Sequence, residues 1–150
     1  GKLYTASTLI HRITPRDLSG AKSIVDVLPR FVDYCGGAFL VGHHVLLDLG
    51  FVNRASQNYL GGIIQSSSLD TMRLAMAYKE SLNGPYLDHR EKQNSYRLTS
   101  LSEEFQLPRF GEHNAFQDAM QTAYLFVYLT HKLRLGTAGT MNDYLKIGGK

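Results

Sequence analysis

The chain has 150 residues, the length of one ordinary domain, and its 43% hydrophobic and 19% charged content is that of a water-soluble globular protein. A net charge of +3 permits a polyanion partner, and with no Lys/Arg-rich tail such binding needs a folded cleft. The single cysteine, Cys35, excludes an intrachain disulfide and fits a reducing, cytoplasmic compartment, while no apolar run is long enough for a membrane helix and no signal-peptide pattern opens the chain.

In chain order, Lys2–Ala6 reads as a short strand, and Thr14-Pro15-Arg16-Asp17 as turn chemistry. Ser23 then looks like an N-cap with Asp26 as its capping-box partner. Ile24, Leu28, Phe31, Val32 and Cys35 share a helical face that ends at Gly36-Gly37, with Pro29 marking a kink or a late start. Ala38–Gly42 is an apolar run of the kind buried on both faces of a parallel sheet. Leu46, Leu47, Phe51 and Leu60 are expected to line the inner side of a helix ending at Gly61-Gly62. Ile63-Ile64 begins another buried segment that runs to Leu69-Asp70-Thr71. A helix follows from Thr71 to Glu80 with Met72, Ala75 and Met76 inward, and Asn83–Gln93 reads as a loop. Leu98, Leu101 and Phe105 mark a helix stopped at Pro108. A longer one follows His113 with an apolar stripe of Ala115, Ala119, Ala123, Phe126 and Leu133, and Thr140-Met141-Asn142-Asp143 can cap a last short helix. Strands alternating with helices argue for one α/β domain.

The chemistry-bearing residues concentrate at two places. His43-His44-Val45-Leu46-Leu47-Asp48 ends a strand and carries an aspartate into the next helix, at the carboxyl end of a strand where open α/β sheets bind ligands. His113-Asn114-Ala115-Phe116-Gln117-Asp118-Ala119 sets a histidine five residues ahead of an aspartate at a helix start. A metal-bound carboxylate with a nearby base for a water suits hydrolysis. Plainer accounts exist for each: His113 as a helix-start cap, Asp118 as a solvated acid, Asp48 complementing a helix dipole, and Asp70 as an N-cap. Adjacent histidines on a strand point to opposite faces, which disfavours a zinc site built on His43, His44, His113 and Asp48. Arg109 and Lys92 could meet phosphates or simply be solubility charges, and Cys35 reads as a small buried hydrophobe. The glycine pairs lack phosphate-loop spacing, and Ser66-Ser67-Ser68 lacks a nucleophile-elbow setting.

On these residues the chain resembles the DnaQ-like 3′–5′ exonucleases, in the DEDDh subgroup, the family of the proofreading epsilon subunit of bacterial DNA polymerase III. Val41–Asp48 is similar to the family's second motif, His113–Ala119 to its His-x-Ala-x-x-Asp-Ala third motif, Leu69–Ala75 to its Asp-Thr strand end, and Leu9–Thr14 to the segment before its first long helix. The resemblance implies an α/β, RNase H-like fold, a mixed sheet flanked by helices, and removal of nucleotides from 3′ ends with two Mg²⁺ or Mn²⁺ ions. Asp118 and Asp48 would hold metal, His113 would be the general base, and His43 and His44 would contact substrate. Partners would be single-stranded DNA or RNA 3′ ends and a polymerase or other attached domain.

Two departures accompany the likeness. His44 stands where asparagine is usual, and the acids ahead of Asp48 (Asp17, Asp26, Asp33) form no Asp-x-Glu, the family's first motif. That motif and the first strands are expected upstream of Gly1, making residues 1–150 the carboxyl-terminal major part of one exonuclease domain. The competing expectation is a non-catalytic nucleic-acid- or partner-binding module that kept the fold and lost the first motif.

Overall fold

The computed structural model describes residues 13–83, 95–110, 114–133 and 140–149. The expected strand at Lys2–Ala6 therefore lies outside the described residues. The first element is helix α1 (Pro15–Ser19). Residues 14–17, expected as a turn, instead start this helix through a capping box: Thr14 Oγ1 accepts from the Asp17 amide at 3.3 Å, and the Asp17 carboxylate accepts from the Thr14 amide at 2.8 Å. Turn and cap use the same local bonds, and proline at the first helical position suits both. The Thr14 hydroxyl, which donates to the Asp17 carboxylate at 2.7 Å, and then the Thr14 amide hold the Asp17 carboxyl below its usual range.

Helix α2 (Ile24–Cys35) begins after Ser23 as expected, but the Ser23 side chain makes no capping bond. Its carbonyl instead accepts from the Asp26 and Val27 amides. The helix continues through Pro29. Strand β1 (Leu40–Gly42), helix α3 (Val45–Leu60), strand β2 (Ser68–Asp70) and helix α4 (Thr71–Asn83) form the centre. β1 and β2 pair in parallel with Leu40 opposite Ser68 and Gly42 opposite Asp70, and α3 supplies the crossover that parallel strands require.

Helices α5 (Leu98–Glu104), α6 (Ala115–Leu133) and α7 (Met141–Gly148) complete the order, α7 opening on the expected cap, where the Asp143 carboxylate accepts from Thr140. After α7 the chain returns to the sheet. Gly149 makes an antiparallel bridge to Leu69, and its carbonyl accepts from Arg73 Nη1 at 3.0 Å. The result is α/β, with a small sheet flanked by helices.

The core lies among α4, α5 and α6, where Leu74, Ala75, Leu101, Leu125 and Leu129 are fully buried and Tyr96 nearly so. Lys79 ties this layer together: its ammonium pairs with Glu104 at 2.8 Å and lies 5.1 Å from the centre of the Tyr96 ring.

Several expected faces turn out differently. On α3 the buried residues are Val45 and Ser56, while Leu46, Leu47, Phe51 and Leu60 are exposed. On α6 the buried face is Gln121, Thr122, Leu125 and Leu129, and the Ala115, Ala119, Ala123 stripe faces outward. On α2, Leu28 and Cys35 are buried but Ile24 and Phe31 are exposed. β1 is shorter than Ala38–Gly42 and half-buried, because a single strand flanks it among the described residues. Ile63 is exposed and precedes β2 without joining it. Among the described residues no helix is long and apolar enough to cross a membrane.

Candidate active site

β1 ends at Gly42, where a side chain would force Val45 to shift: an added Cβ would come within 2.8 Å of the Val45 side chain. The chain doubles back so tightly that His44 adopts a left-handed backbone, φ 59° and ψ 38°, before α3 begins at Val45. Such a conformation is uncommon for any residue but glycine and needs support from its surroundings.

Asp70, at the end of β2, supplies that support. Its Oδ1 accepts from the His44 amide at 3.1 Å and from the Met72 amide at 2.9 Å, so one buried carboxylate caps α4 and clamps the turn after β1. The expected N-cap role of Asp70 is thus present together with a second one.

His43 is held from both sides. Its Nε2 lies 2.9 Å from the Tyr96 carbonyl, which can only accept, so this nitrogen carries the proton. Its Nδ1 lies 2.9 Å from Thr71 Oγ1, which is also 3.2 Å from the Gly42 carbonyl. Burial pushes the His43 pKa below its usual 6.5, outweighing the upward pull of the Tyr96 carbonyl and of Asp70. Burial thus favours the neutral ring, whose Nδ1 shares the single Thr71 hydroxyl proton with the Gly42 carbonyl. As a candidate substrate contact His43 has no free ring nitrogen, whereas the exposed His44 ring stands edge-on to it at 5.4 Å.

Asp48 sits in the first turn of α3 and Asp118 in the first turn of α6, both exposed. Both helices pack against β1. Asn114 caps α6, its Oδ1 accepting from Phe116 at 3.0 Å, so the cap considered for His113 belongs to the next residue. His113 itself lies outside the described residues. Neither aspartate enters an ion pair among the described residues, which leaves both carboxylates available as hard oxygen donors. No group of three or more His, Cys, Asp or Glu side chains forms a metal-binding cluster among the described residues. Carboxylate oxygens are the donors a hard divalent cation takes, and two acids alone do not make a site among the described residues.

Other candidates resolve simply. Cys35 is buried, and burial raises its thiol pKa, the behaviour of an inert core residue. Arg109 pairs with Glu103 at 2.9 Å, and Lys92 lies outside the described residues. A groove of about 370 Å³ between Val32, Phe39 and Ile63 opens at the amino ends of the strands, away from the turn that bears the histidines. Sequence reasoning missed Thr71 and the Tyr96 carbonyl as partners of His43. An Asp-Thr at a strand end was the available signal for the first, and a main-chain atom offers none.

Comparison with known proteins shows the family of the chain. The profile of a family described as exonuclease matches residues 2–126. The chain is 31% identical over 121 residues to a DNA polymerase III subunit epsilon from Aquifex aeolicus, covering 81% of this chain and 54% of that protein. It is 30% identical over 131 residues to a DNA polymerase III PolC-type from Caldanaerobacter subterraneus, covering 85% of this chain and 8% of that protein. A PolC-type relative from Latilactobacillus sakei is 30% identical over 150 residues, 97% of this chain and 10% of that protein. The chain thus spans about half the length of the epsilon relative and a tenth or less of these PolC-type ones.

Proposed function

Because this chain belongs to the DnaQ-like exonuclease family, we propose that it is the carboxyl-terminal major part of a metal-dependent exonuclease domain that removes nucleotides from the 3′ ends of single-stranded DNA. Short RNA is the neighbouring substrate, and a polymerase is the partner that the relatives suggest. The observation that carries this reading is the clamped turn at the carboxyl end of β1. It fixes where α3 starts, and with it the first turn that bears Asp48, while α6, whose first turn bears Asp118, packs against the same strand.

In this reading Asp48 and Asp118 hold Mg²⁺ or Mn²⁺ together with Asp-x-Glu acids from chain ahead of Gly1, and His113 takes the proton of the attacking water. When bound, two such ions neutralise charge on the phosphodiester and favour a hydroxide nucleophile. His44, exposed at the start of the helix that carries Asp48, is the histidine of the pair that meets the strand, and His43 shapes the turn that presents it.

A second reading, a binding module without hydrolysis, draws on the lack of a three-ligand cluster among the described residues. One assay separates them. A 5′-labelled single-stranded oligonucleotide incubated with the whole protein and Mg²⁺ should shorten stepwise from its 3′ end. Asp118→Asn should lower the rate by at least about a hundredfold, the order expected when a group needed for charge neutralisation is lost. Retention of the full-length oligonucleotide with binding intact would favour the module, and undiminished hydrolysis by the Asp118→Asn protein would remove Asp118 from the site.

A further inference from the structure

The start of α5 lies between the two halves of the candidate active site. On one side, the Tyr96 carbonyl accepts from His43 Nε2 at 2.9 Å, which ties the chain just ahead of α5 to the turn after β1. On the other side, Leu98 and Thr99, in the first turn of α5, line a small cavity whose walls also include Asp118 of α6. Arg97 stands between these contacts, one peptide bond from the carbonyl that holds His43 and directly ahead of Leu98. The segment 96–99 thus reaches both the histidine turn and the surroundings of Asp118.

The backbone of Arg97 is fixed while its side chain is unspent. Its φ of −67° and ψ of 148° are extended, its carbonyl accepts from the Leu101 amide at 2.9 Å, and its side chain makes no capping bond. Successive side chains of extended backbone point to opposite sides. Tyr96 accordingly turns inward, 4% exposed with its ring beneath the Lys79 ammonium, and Arg97 is exposed to solvent. From α4 onward the other described lysines and arginines each have a partner. Lys79, Arg109 and Lys146 pair with Glu104, Glu103 and Asp143, Arg73 holds the Gly149 carbonyl, and Lys132 lies over the Tyr128 ring. Arg97 enters no ion pair among the described residues. An exposed arginine is ordinary by itself; this one is distinguished by where its backbone is pinned.

That placement matches what a nucleic-acid strand brings. The exposed carboxylates of Asp48 and Asp118 repel a polyanion, and every nucleotide carries a phosphate that a cation must offset. A guanidinium stays charged at any working pH and takes two phosphate oxygens at once. We propose that Arg97 is a phosphate-binding residue of the site: it holds one backbone phosphate of the single strand where the strand passes between the turn after β1 and the first turn of α6. The contact reads charge and not sequence. The inference rests on the exonuclease reading and deepens it, adding a cation to a site whose other members are acids and histidines.

The test is the salt dependence of binding, read by fluorescence anisotropy of labelled oligothymidylate and oligoadenylate on the whole protein in EDTA, where neither metal nor hydrolysis contributes. Loss of one phosphate contact to a single strand flattens the plot of log Kd against log salt by about 0.7. Arg97→Ala should show that change on both oligonucleotides, with binding weakened about tenfold, the scale of one lost charge-assisted hydrogen bond. Arg97→Lys keeps the charge and should keep the wild-type slope. Lys146→Ala removes the same charge from α7 and should keep that slope too. Arg97→Gln, which retains the stem without the charge, should behave as Arg97→Ala does, so a folding defect in the alanine protein does not decide the result. A wild-type slope in Arg97→Ala and Arg97→Gln, an equal change in Lys146→Ala, or no wild-type binding in EDTA would each overturn the contact. Shortening of the strand in Mg²⁺ beside an Arg97→Ala protein of wild-type slope would keep the exonuclease reading and remove Arg97. The Arg97 effect without any shortening would keep the contact and remove the hydrolytic reading.

Discussion

The two groups of helices packed around the strand pair are built on different terms. α4, α5 and α6 close around leucines with no exposed surface while leaving Leu82, Phe116 and Val127 exposed on their outer faces, whereas α2 and α3 bury only Leu28, Cys35, Val45 and Ser56 and keep Tyr34 at 87% and Phe51 at 78% exposure. Both regions are rich in apolar residues, so hydrophobic content alone does not decide which region holds the fold together. Closure does: burial stabilises only where a side chain is surrounded, and α3 presents much of its apolar surface to solvent. The candidate active site lies on the seam. Asp118 belongs to the closed side, Asp48 to the open side, and Asp70, Thr71 and the Tyr96 carbonyl reach across to hold His43 and His44.

The largest contrast comes from truncating one residue on each side. Leu125→Ala removes a fully buried side chain and should cost about 2–5 kcal/mol in urea unfolding, whereas Phe51→Ala should change stability by no more than about 0.5 kcal/mol. If the two cost the same, α3 is covered in solution and the contrast between the regions collapses. A smaller effect is expected at the seam itself. Asp70→Ala leaves the His44 and Met72 amides without their shared acceptor and should cost about 1–3 kcal/mol, with Asp70→Asn, which keeps an oxygen, milder. An Asp70→Ala protein as stable as wild type would show that the clamp holds nothing.

The smallest effect is a pH dependence. The His43 pKa is depressed in the fold below the usual 6.5, so between the two values the unfolded chain binds more protons than the folded one. The stability linked to His43 is complete above about pH 6.5 and is lost as pH falls through the lower folded value. Urea midpoints measured from pH 8 down to pH 5 should decline in the acid range, and His43→Gln should flatten that decline. An identical slope in the variant would assign the acid sensitivity to other groups.

Much of the element order was legible before any coordinates. The spans of α2, α4, α5 and α7 follow caps, glycines and prolines that act within one turn, and the motif residues fall at strand and helix ends as expected. What the pattern did not settle was which face of a helix is inside. α3 carries Val45, Leu46, Leu47, Phe51 and Val52 around more than one side, so periodicity selects no single face, and its buried positions are decided by contacts with β1, β2 and α2. α6 buries Gln121 and Thr122, polar residues that no hydrophobic pattern marks as interior. The support of the site escaped for a related reason. His43 is bonded to groups 28 and 53 residues away, one of them a backbone carbonyl, and that proximity exists only after folding.

The left-handed backbone at His44 restricts which residues that position can accept. Asparagine and glycine enter this conformation at low cost, histidine at some cost, and β-branched residues hardly at all. The asparagine usual in the second motif and the histidine found here are thus two solutions to one backbone constraint. Whichever ring or amide faces a nucleic acid at this position has first been filtered by the shape of the turn, so chemical preference at His44 acts only within a short alphabet that the fold has already chosen.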